Sequence, residues 1–197
     1  MRPDVVAAIS QTVHPQGVVA RCGFVDRPLA ELLERRPRLL AVCADIRDPG
    51  NAGSVLRCAD AAGADGVVFV GDSVDPYNPK AVRASAGSLF HLGVAIESDP
   101  DPAIDAIRSQ GLRVLAADGQ ADLDLDTATD GGFLAEPTAW LFGNEAWGLP
   151  DAVRDLAEVS VRVPIYGRAE SLNLAAAAAV CLYASARAQR RHPNTAP

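Results

Sequence analysis

Short runs of apolar residues, each long enough for a β-strand, recur along the chain with helical stretches between them. They predict strands at 39–46, 66–71, 91–97, 112–118, 138–143 and 159–165. The run GVVFVG at 66–71 is apolar throughout, which is typical of strands buried on both faces of a parallel sheet.

The stretches between the strands carry the spacing and the end signals of helices. They predict helices at 51–63, 78–87, 102–111 and 151–158, and a long alanine-rich helix from Ser171 to about Arg191. The helix at 102–111 places Ile104 and Ile107 on one face and ends at Gly111. Strands that alternate with helices predict an α/β fold, a mostly parallel sheet with helices on both faces.

The first 36 residues fit this alternation poorly. The pattern there predicts one helix, VVAAISQTV at 5–13, and one strand, GVVARCGF at 17–24. Two elements are too few for a domain of their own. We therefore divide the chain into an N-terminal segment, 1–36, and an α/β domain, 37–197.

Charge is distributed unevenly along the 197 residues. The net charge of -7 argues mildly against a nucleic-acid partner, which normally leaves a basic footprint. Arginines nevertheless cluster before the first strand and at the end of the last helix: Arg35, Arg36, Arg38, Arg187, Arg190 and Arg191. The acidic excess lies between these clusters, in DGQADLDLDTATD at 118–130.

The cysteines and histidines are too scattered to predict a metal site. Cys22, Cys43, Cys58 and Cys181 form no Cys-x-x-Cys pair, and most of them lie in apolar runs. Together with the lack of an apolar run long enough to span a bilayer, this favours buried free thiols in a cytoplasmic protein.

The first candidate loop is DIRDPGNAGSVLRCAD at 45–60. A strand, a glycine turn and a helix N-terminus in succession make an anion site from unpaired backbone N–H groups, with Asn51 as the predicted helix cap. The spacing of Gly50 and Gly53 fits neither a Walker A loop nor the dinucleotide fingerprint. Arg57 lies six residues beyond Asn51, about one and two-thirds turns along the helix. The alternative is a plain capped turn followed by a solvated arginine.

The second candidate loop is LFGNEAWGLP at 141–150, where a strand runs into a glycine-framed turn. Ligands of parallel α/β sheets bind at the carboxyl ends of strands, so Asn144 and Glu145 are candidates for chemistry. The alternative for Glu145 is charge complementarity with a helix N-terminus. For Trp147, packing is the more common role than stacking against a ligand.

The third candidate loop is RVPIYGRAESLNLAAAAAV at 162–180. Pro164 ends the strand, and Ser171 is the predicted cap of the helix that follows. Asn173 is predicted in the first helical turn, beside alanines that let another backbone approach closely.

In this order, the three loops resemble the motifs of the SpoU (TrmH-like) family of RNA ribose 2'-O-methyltransferases. The resemblance covers roughly residues 39–190. It rests on Asn51, Gly53 and Arg57 in the first loop, on Gly143, Glu145, Gly148 and Leu149 in the second, and on Pro164, Gly167, Ser171, Leu172 and Asn173 in the third.

The resemblance implies the SPOUT fold, in which the second and third motifs tie a C-terminal trefoil knot. It also implies a homodimer and a bound S-adenosylmethionine. The residues it implies for that cofactor are Leu141, Gly143, Asn144, Gly148, Val163, Ile165 and Leu172. The residues it implies for catalysis are Arg57, Asn51, Glu145, Ser171 and Asn173.

The implied reaction is attack of a ribose 2'-hydroxyl of RNA on the methyl group of the cofactor. The family casts Arg57 as general base, but a guanidinium is always protonated in proteins, so we favour a clamp on the target phosphate. The stretch HPQGVVARCGF at 14–24 resembles the end of an L30e-like RNA-binding domain, whose remnant the N-terminal segment would be. That likeness favours ribosomal RNA over transfer RNA.

Two other functions stay open at this point. A Rossmann-type dehydrogenase would use the turn from Asn51 to Arg57 for phosphates and Asp65 or Asp72 for a ribose, but it leaves the second and third loops unexplained. A non-catalytic RNA-binding module would not need the polar residues of all three loops.

Overall fold

The computed structural model describes Val6, Ile9 and residues 17–191. Its strands are β1 (Leu39–Ala44), β2 (Gly66–Val70), β3 (Gly93–Glu97), β4 (Arg113–Ala117), β5 (Leu123–Asp124), β6 (Thr138–Phe142) and β7 (Val159–Arg162). Its helices are α1 (Leu29–Glu34), α2 (Pro49–Ala62), α3 (Pro79–Ala84), α4 (Pro100–Ser109), α5 (Leu125–Asp130), α6 (Asp151–Arg154) and α7 (Leu174–Arg191). Short 3-10 helices lie at Ser88–Phe90 and Phe133–Ala135.

The strands form one seven-stranded sheet in the order β3-β2-β1-β6-β4-β7-β5. All paired strands are parallel, which confirms the predicted α/β class. Strand β6 lies between β1 and β4, although it follows both in sequence. The strand order changes direction here, and open parallel sheets bind ligands at the carboxyl edge of such a point.

Alternate residues of each central strand belong to two separate cores. In β1, Leu39, Ala41 and Cys43 pack with residues of α2 and α7 on one face. Leu40, Val42 and Ala44 pack with residues of α1 and α4 on the other face. Every residue of β1, β2 and β6 is buried, which explains why these strands are apolar except for Thr138 at the start of β6.

Small residues let α2 lie very close to its neighbours. A Cβ on Gly53 would lie 2.3 Å from the carbonyl oxygen of Ala81, so α3 could not pack there against any larger residue. The Sγ atom of Cys58 lies 3.7 Å from the carbonyl oxygen of Ala175, which belongs to the alanine run of α7. A buried hydrogen bond of 2.8 Å from Trp140 Nε1 to Ser185 Oγ also joins α7 to the sheet.

The N-terminal segment differs from its prediction. Residues 17–24 form no strand, and Val18 and Phe24 are 83% and 81% exposed. The chain is instead held just after them, because Tyr77 Oη accepts hydrogen bonds from the backbone N–H groups of Val25 and Asp26, at 2.7 and 2.8 Å. The predicted helix at 5–13 falls mostly outside the described residues.

Several element boundaries also differ from the predictions. The short helices α1 and α5 were not predicted, because each has only six residues, too few to establish a helical period. The predicted helix at 151–158 is a single turn, α6, and the predicted strand at 159–165 ends at Arg162. Within the part of the chain described above, no helix is both long and apolar enough to cross a membrane.

The thiols are free but are not all buried as predicted. Cys43 and Cys181 are buried, whereas Cys58 is half-buried and Cys22 is exposed. Burial raises the pKa of Cys181 to about 12, so its thiol stays protonated at neutral pH. No group of three or more His, Cys, Asp or Glu residues in the described regions is arranged to hold a metal ion.

Candidate active site

The three candidate loops follow β1, β6 and β7. Since all three strands run in the same direction, the loops leave the same edge of the sheet. Strands β1 and β6 are direct neighbours, and β4 separates β6 from β7. The fold therefore brings together three loops that are far apart in sequence.

Asp48, not Asn51, caps helix α2. The Oδ1 atom of Asp48 accepts a 2.8 Å hydrogen bond from the backbone N–H of Asn51, and Lys80 Nζ lies 2.7 Å from Oδ2. The hydrogen bonds from Lys80 and from the Asn51 backbone hold the pKa of Asp48 below its ordinary value. The prediction of Asn51 as the cap was wrong, and its side chain is free to act elsewhere. An aspartate directly before a proline at the first helical position is the sequence signal that identifies the cap.

A line of hydrogen bonds connects the three loops through Asn51. Its Nδ2 donates to Glu145 Oε1 of the second loop, at 3.0 Å. Its Oδ1 accepts from Asn173 Nδ2 of the third loop, at 3.1 Å. Glu145 and Asn173 are exposed and Asn51 is half-buried, so the line lies open to a ligand. Three of the five predicted catalytic residues are thus in direct contact.

The second loop is a tight hairpin fixed to the sheet. Asn144 and Gly148 exchange two backbone hydrogen bonds of 2.9 Å, and Gly148 has a φ of 73°, which favours glycine. The buried Asn144 side chain donates to the carbonyl oxygen of Asp45 and accepts from the backbone N–H of Ala146, both at 2.8 Å. The hairpin therefore holds Glu145, Ala146 and Trp147 out toward solvent in a fixed geometry.

Gly143 lies where the hairpin folds back on itself. A Cβ at this position would lie 2.4 Å from both the backbone carbon of Gly148 and the nitrogen of Leu149. Real Cβ atoms do not approach backbone this closely. The glycine is therefore required by the close approach of two backbone segments.

Within the third loop, residues 163–173 have no regular secondary structure. Helix α7 begins at Leu174, so the predictions of Ser171 as its cap and of Asn173 within its first turn were wrong. Asn173 stands at the position before the helix, where its Oδ1 accepts a 2.9 Å hydrogen bond from the backbone N–H of Ala175. Ser171 is exposed and does not join the line of hydrogen bonds through Asn51.

Arg57 is exposed on α2. Its side chain forms no hydrogen bond or ion pair with the described residues, so the structure does not join it to Asn51 or Glu145. Its charge acts on its neighbour Cys58, where burial raises the pKa of the thiol and the guanidinium opposes that rise.

The predicted cofactor residues lie on the second and third loops at the same edge. Leu141, Gly143 and Asn144 are buried at the end of β6, Gly148 is exposed in the hairpin and Val163 is half-buried after β7. Ile165 and Leu172 are each 39% exposed. Two surface cavities elsewhere, of about 460 and 430 Å³, are lined by none of these residues. That the predicted residues bind a cofactor stays a prediction.

Comparison with known proteins decides which family this arrangement represents. The SpoU rRNA Methylase family matches residues 38–183. The chain belongs to this family. The prediction drawn from the three loops is therefore confirmed, and SpoU membership sets aside the Rossmann-type dehydrogenase.

Individual SpoU relatives resemble nearly the whole chain. The 23S rRNA (guanosine(2553)-2'-O)-methyltransferase RlmP of Bacillus subtilis is 33% identical over 180 residues, which cover 91% of this chain and 68% of that protein. The 23S rRNA (uridine(2479)-2'-O)-methyltransferase of Streptomyces viridochromogenes is 37% identical over 203 residues, which cover 100% of this chain and 69% of that protein.

Solved structures give the same result. The AdoMet-bound rRNA methyltransferase of Sinorhizobium meliloti superposes with a TM-score of 0.81 at 32% identity, over 98% of this chain and 71% of that one. A SpoU methyltransferase structure from Streptomyces viridochromogenes, AviRb, matches at a TM-score of 0.73 and 36% identity, over 81% of this chain and 64% of that one. This chain thus spans about two-thirds of the length of these relatives.

Proposed function

We propose that this protein transfers the methyl group of S-adenosylmethionine to a ribose 2'-hydroxyl of RNA. The observation that carries the proposal is the line from Asn173 through Asn51 to Glu145, which joins the three SpoU motifs at one edge of the sheet. These polar side chains are held in place before a substrate arrives. Such an arrangement lowers the barrier of a reaction in which two reactants must be held in a fixed relative orientation.

The proposed substrate is ribosomal RNA, and the proposed location is the cytoplasm. The two relatives described above are named for 2'-O-methylation of 23S rRNA. Other relatives have names that leave transfer RNA open, such as the uncharacterized tRNA/rRNA methyltransferase slr1673 of Synechocystis. Since the two relatives described above are named for 23S rRNA, we take it as the substrate to test first.

The second and third loops fit the proposed cofactor. Ile165 and Leu172, each 39% exposed, offer apolar surface that suits the flat adenine ring. S-adenosylmethionine, when bound, supplies an electrophilic methyl group. The bound S-adenosylmethionine in the Sinorhizobium meliloti relative supports this choice of cofactor.

The remaining roles fall to side chains of the first and second loops. Glu145 is the anionic member of the line through Asn51, so it is placed to orient the ribose hydroxyls by accepting their hydrogen bonds. Arg57, which is always protonated, would clamp a phosphate of the target nucleotide through its two parallel N–H groups. Methyl transfer forms the bond from the 2'-oxygen to the methyl carbon, breaks the carbon–sulfur bond to leave S-adenosylhomocysteine, and passes the hydroxyl proton to water.

We expect S-adenosylmethionine to bind, and S-adenosylhomocysteine to compete with it, because the two compounds differ only in the transferred methyl group and share the sulfur-linked amino-acid part that NAD lacks. Isothermal titration calorimetry measures both affinities. NAD serves as the control and should produce no binding heat. Absence of heat with either sulfur compound at millimolar concentration would remove the methyltransferase proposal.

We also propose a homodimer, in which exposed apolar residues of α7 form the interface. The apolar face of α2 cannot contribute, because Val55, Leu56 and Ala59 are fully buried in the chain's own core. The exposed apolar residues of α7, Val180 at 42% and Tyr183 at 51%, remain available to a second copy.

One chain has a mass of 20.6 kDa. Light scattering at micromolar concentration should therefore report twice this mass. Val180→Asp is expected to shift the protein to monomer, because a charge buried in an apolar interface is costly. Val18→Asp, at a position that is 83% exposed in the N-terminal segment, is the matched control. A wild-type monomer would contradict the proposed dimer.

A further inference from the structure

Trp147 is a large aromatic residue that the fold holds in solvent. Its side chain is 61% exposed, whereas the only other tryptophan, Trp140, is fully buried. Trp147 therefore does not take the more common role of packing within the core of the chain. An exposed tryptophan on a surface suits a binding partner more than it suits the free chain.

The hairpin that carries Trp147 is rigid. Its ends are closed by the two 2.9 Å hydrogen bonds between Asn144 and Gly148, and its base is tied to Asp45. Glu145, two residues away on the same hairpin, holds Asn51 at 3.0 Å. The indole thus stands beside the candidate active site on a segment that loses little entropy when a ligand binds.

We propose that Trp147 is the surface on which an unpaired base of the RNA stacks, next to the ribose that is methylated. This inference rests on the proposed methyl transfer to RNA. Sequence-specific proteins reach single-stranded loops and bulges of RNA, whose bases splay out and stack on aromatic side chains. The substrate class is therefore an unpaired nucleotide rather than a base pair within a duplex.

The charge of the chain supports stacking as a main source of affinity. With a net charge of -7, the chain has limited capacity to neutralise phosphates. Contact of a base with an aromatic ring does not depend on that capacity and tolerates different bases. Trp147 thus provides affinity that the surface charge does not.

Tryptophan fluorescence reports on this contact directly, because Trp140 is shielded in the core and Trp147 is exposed to solvent. We expect single-stranded oligoadenylate to quench the fluorescence and its duplex with oligouridylate to quench it far less. Trp147→Ala should abolish the quenching. Quenching by S-adenosylhomocysteine alone would instead place the adenine of the cofactor on the indole of Trp147. A change in fluorescence when the protein alone is diluted would place Trp147 in the dimer interface. Either result overturns the inference.

Kinetics supply the second readout. Trp147→Ala is expected to raise the KM for unmodified 23S rRNA by roughly 5- to 100-fold, the range expected when a stacked base loses the aromatic side chain beneath it. The affinity for S-adenosylmethionine should not change. Trp147→Phe should restore most of the loss. Phe90→Ala is the matched control. Phe90 is 52% exposed and lies just before the start of β3, at the opposite edge of the sheet.

An unchanged KM in Trp147→Ala would overturn the stacking role while leaving the methyltransferase proposal intact. Failure of the wild-type protein to bind S-adenosylmethionine would instead refute the proposed function. The oligoadenylate titration would still show whether Trp147 contacts RNA, so the two failures are distinguishable.

Discussion

Arg57→Ala is expected to lower the rate of methyl transfer by about 100-fold or more, which is the order of the cost of removing one charged group that holds the reacting nucleotide in an active site. Affinity for S-adenosylmethionine should change little, because Arg57 lies on α2 and the predicted cofactor residues lie after β6 and β7. Its side chain is exposed and has no ion-pair partner among the described residues, so its loss should leave the fold unchanged.

Arg57→Lys should not restore activity. A lysine keeps the positive charge but loses the planar pair of N–H groups that grips a phosphate through two parallel hydrogen bonds. The measurement is single-turnover methylation of 23S rRNA, with cofactor affinity from calorimetry. Arg35→Ala is the charge-matched control, since Arg35 is exposed and lies just before the start of β1, at the opposite edge of the sheet. Near-normal turnover in Arg57→Ala would place the catalytic group elsewhere in the family fold.

Gly143→Ala is expected to damage both stability and cofactor binding. The added Cβ would meet the backbone of Gly148 and Leu149 at 2.4 Å. Because these are backbone atoms rather than the end of a flexible side chain, the whole hairpin would have to shift. The free energy of unfolding should fall by about 1–3 kcal/mol, as for other overpacked sites, and cofactor affinity should fall at least about tenfold.

Urea denaturation measures the first effect and calorimetry the second. Gly119→Ala is the matched control, because a Cβ there meets nothing within 4 Å and the glycine does not have a positive φ. The control should stay within about 0.5 kcal/mol of wild type. If Gly143→Ala bound the cofactor normally, the second loop would not be part of its site.

The local pattern of the sequence was enough to predict the fold class and the six main strands. Runs such as 66–71 are apolar throughout because both faces of the strand are buried, and this property is visible without a structure. The insertion of β6 between β1 and β4 was not predictable, since strand order depends on contacts between distant segments. The trefoil knot and the domain boundary after residue 36 stay predictions.

The site was predictable only in part. The cap of α2 was assigned to Asn51 because asparagine and aspartate are both common N-cap residues. Asp48 is the cap because Pro49, which follows it, occupies the first helical position. The contacts of Asn51 with Glu145 and Asn173 bridge 94 and 122 residues of sequence. No local rule predicts such pairs. They were anticipated as a group by resemblance to a family, and their geometry came from the fold.

The central claim is that this chain methylates a ribose rather than a base of RNA. The most direct test incubates the protein with methyl-labelled S-adenosylmethionine and an unmodified 23S rRNA transcript, digests the RNA to nucleosides and identifies the labelled product by mass spectrometry. The account predicts a labelled 2'-O-methylnucleoside with the wild-type protein and its loss in Arg57→Ala. Label on a nucleobase, or no label despite measured binding of the cofactor and the RNA, would contradict it.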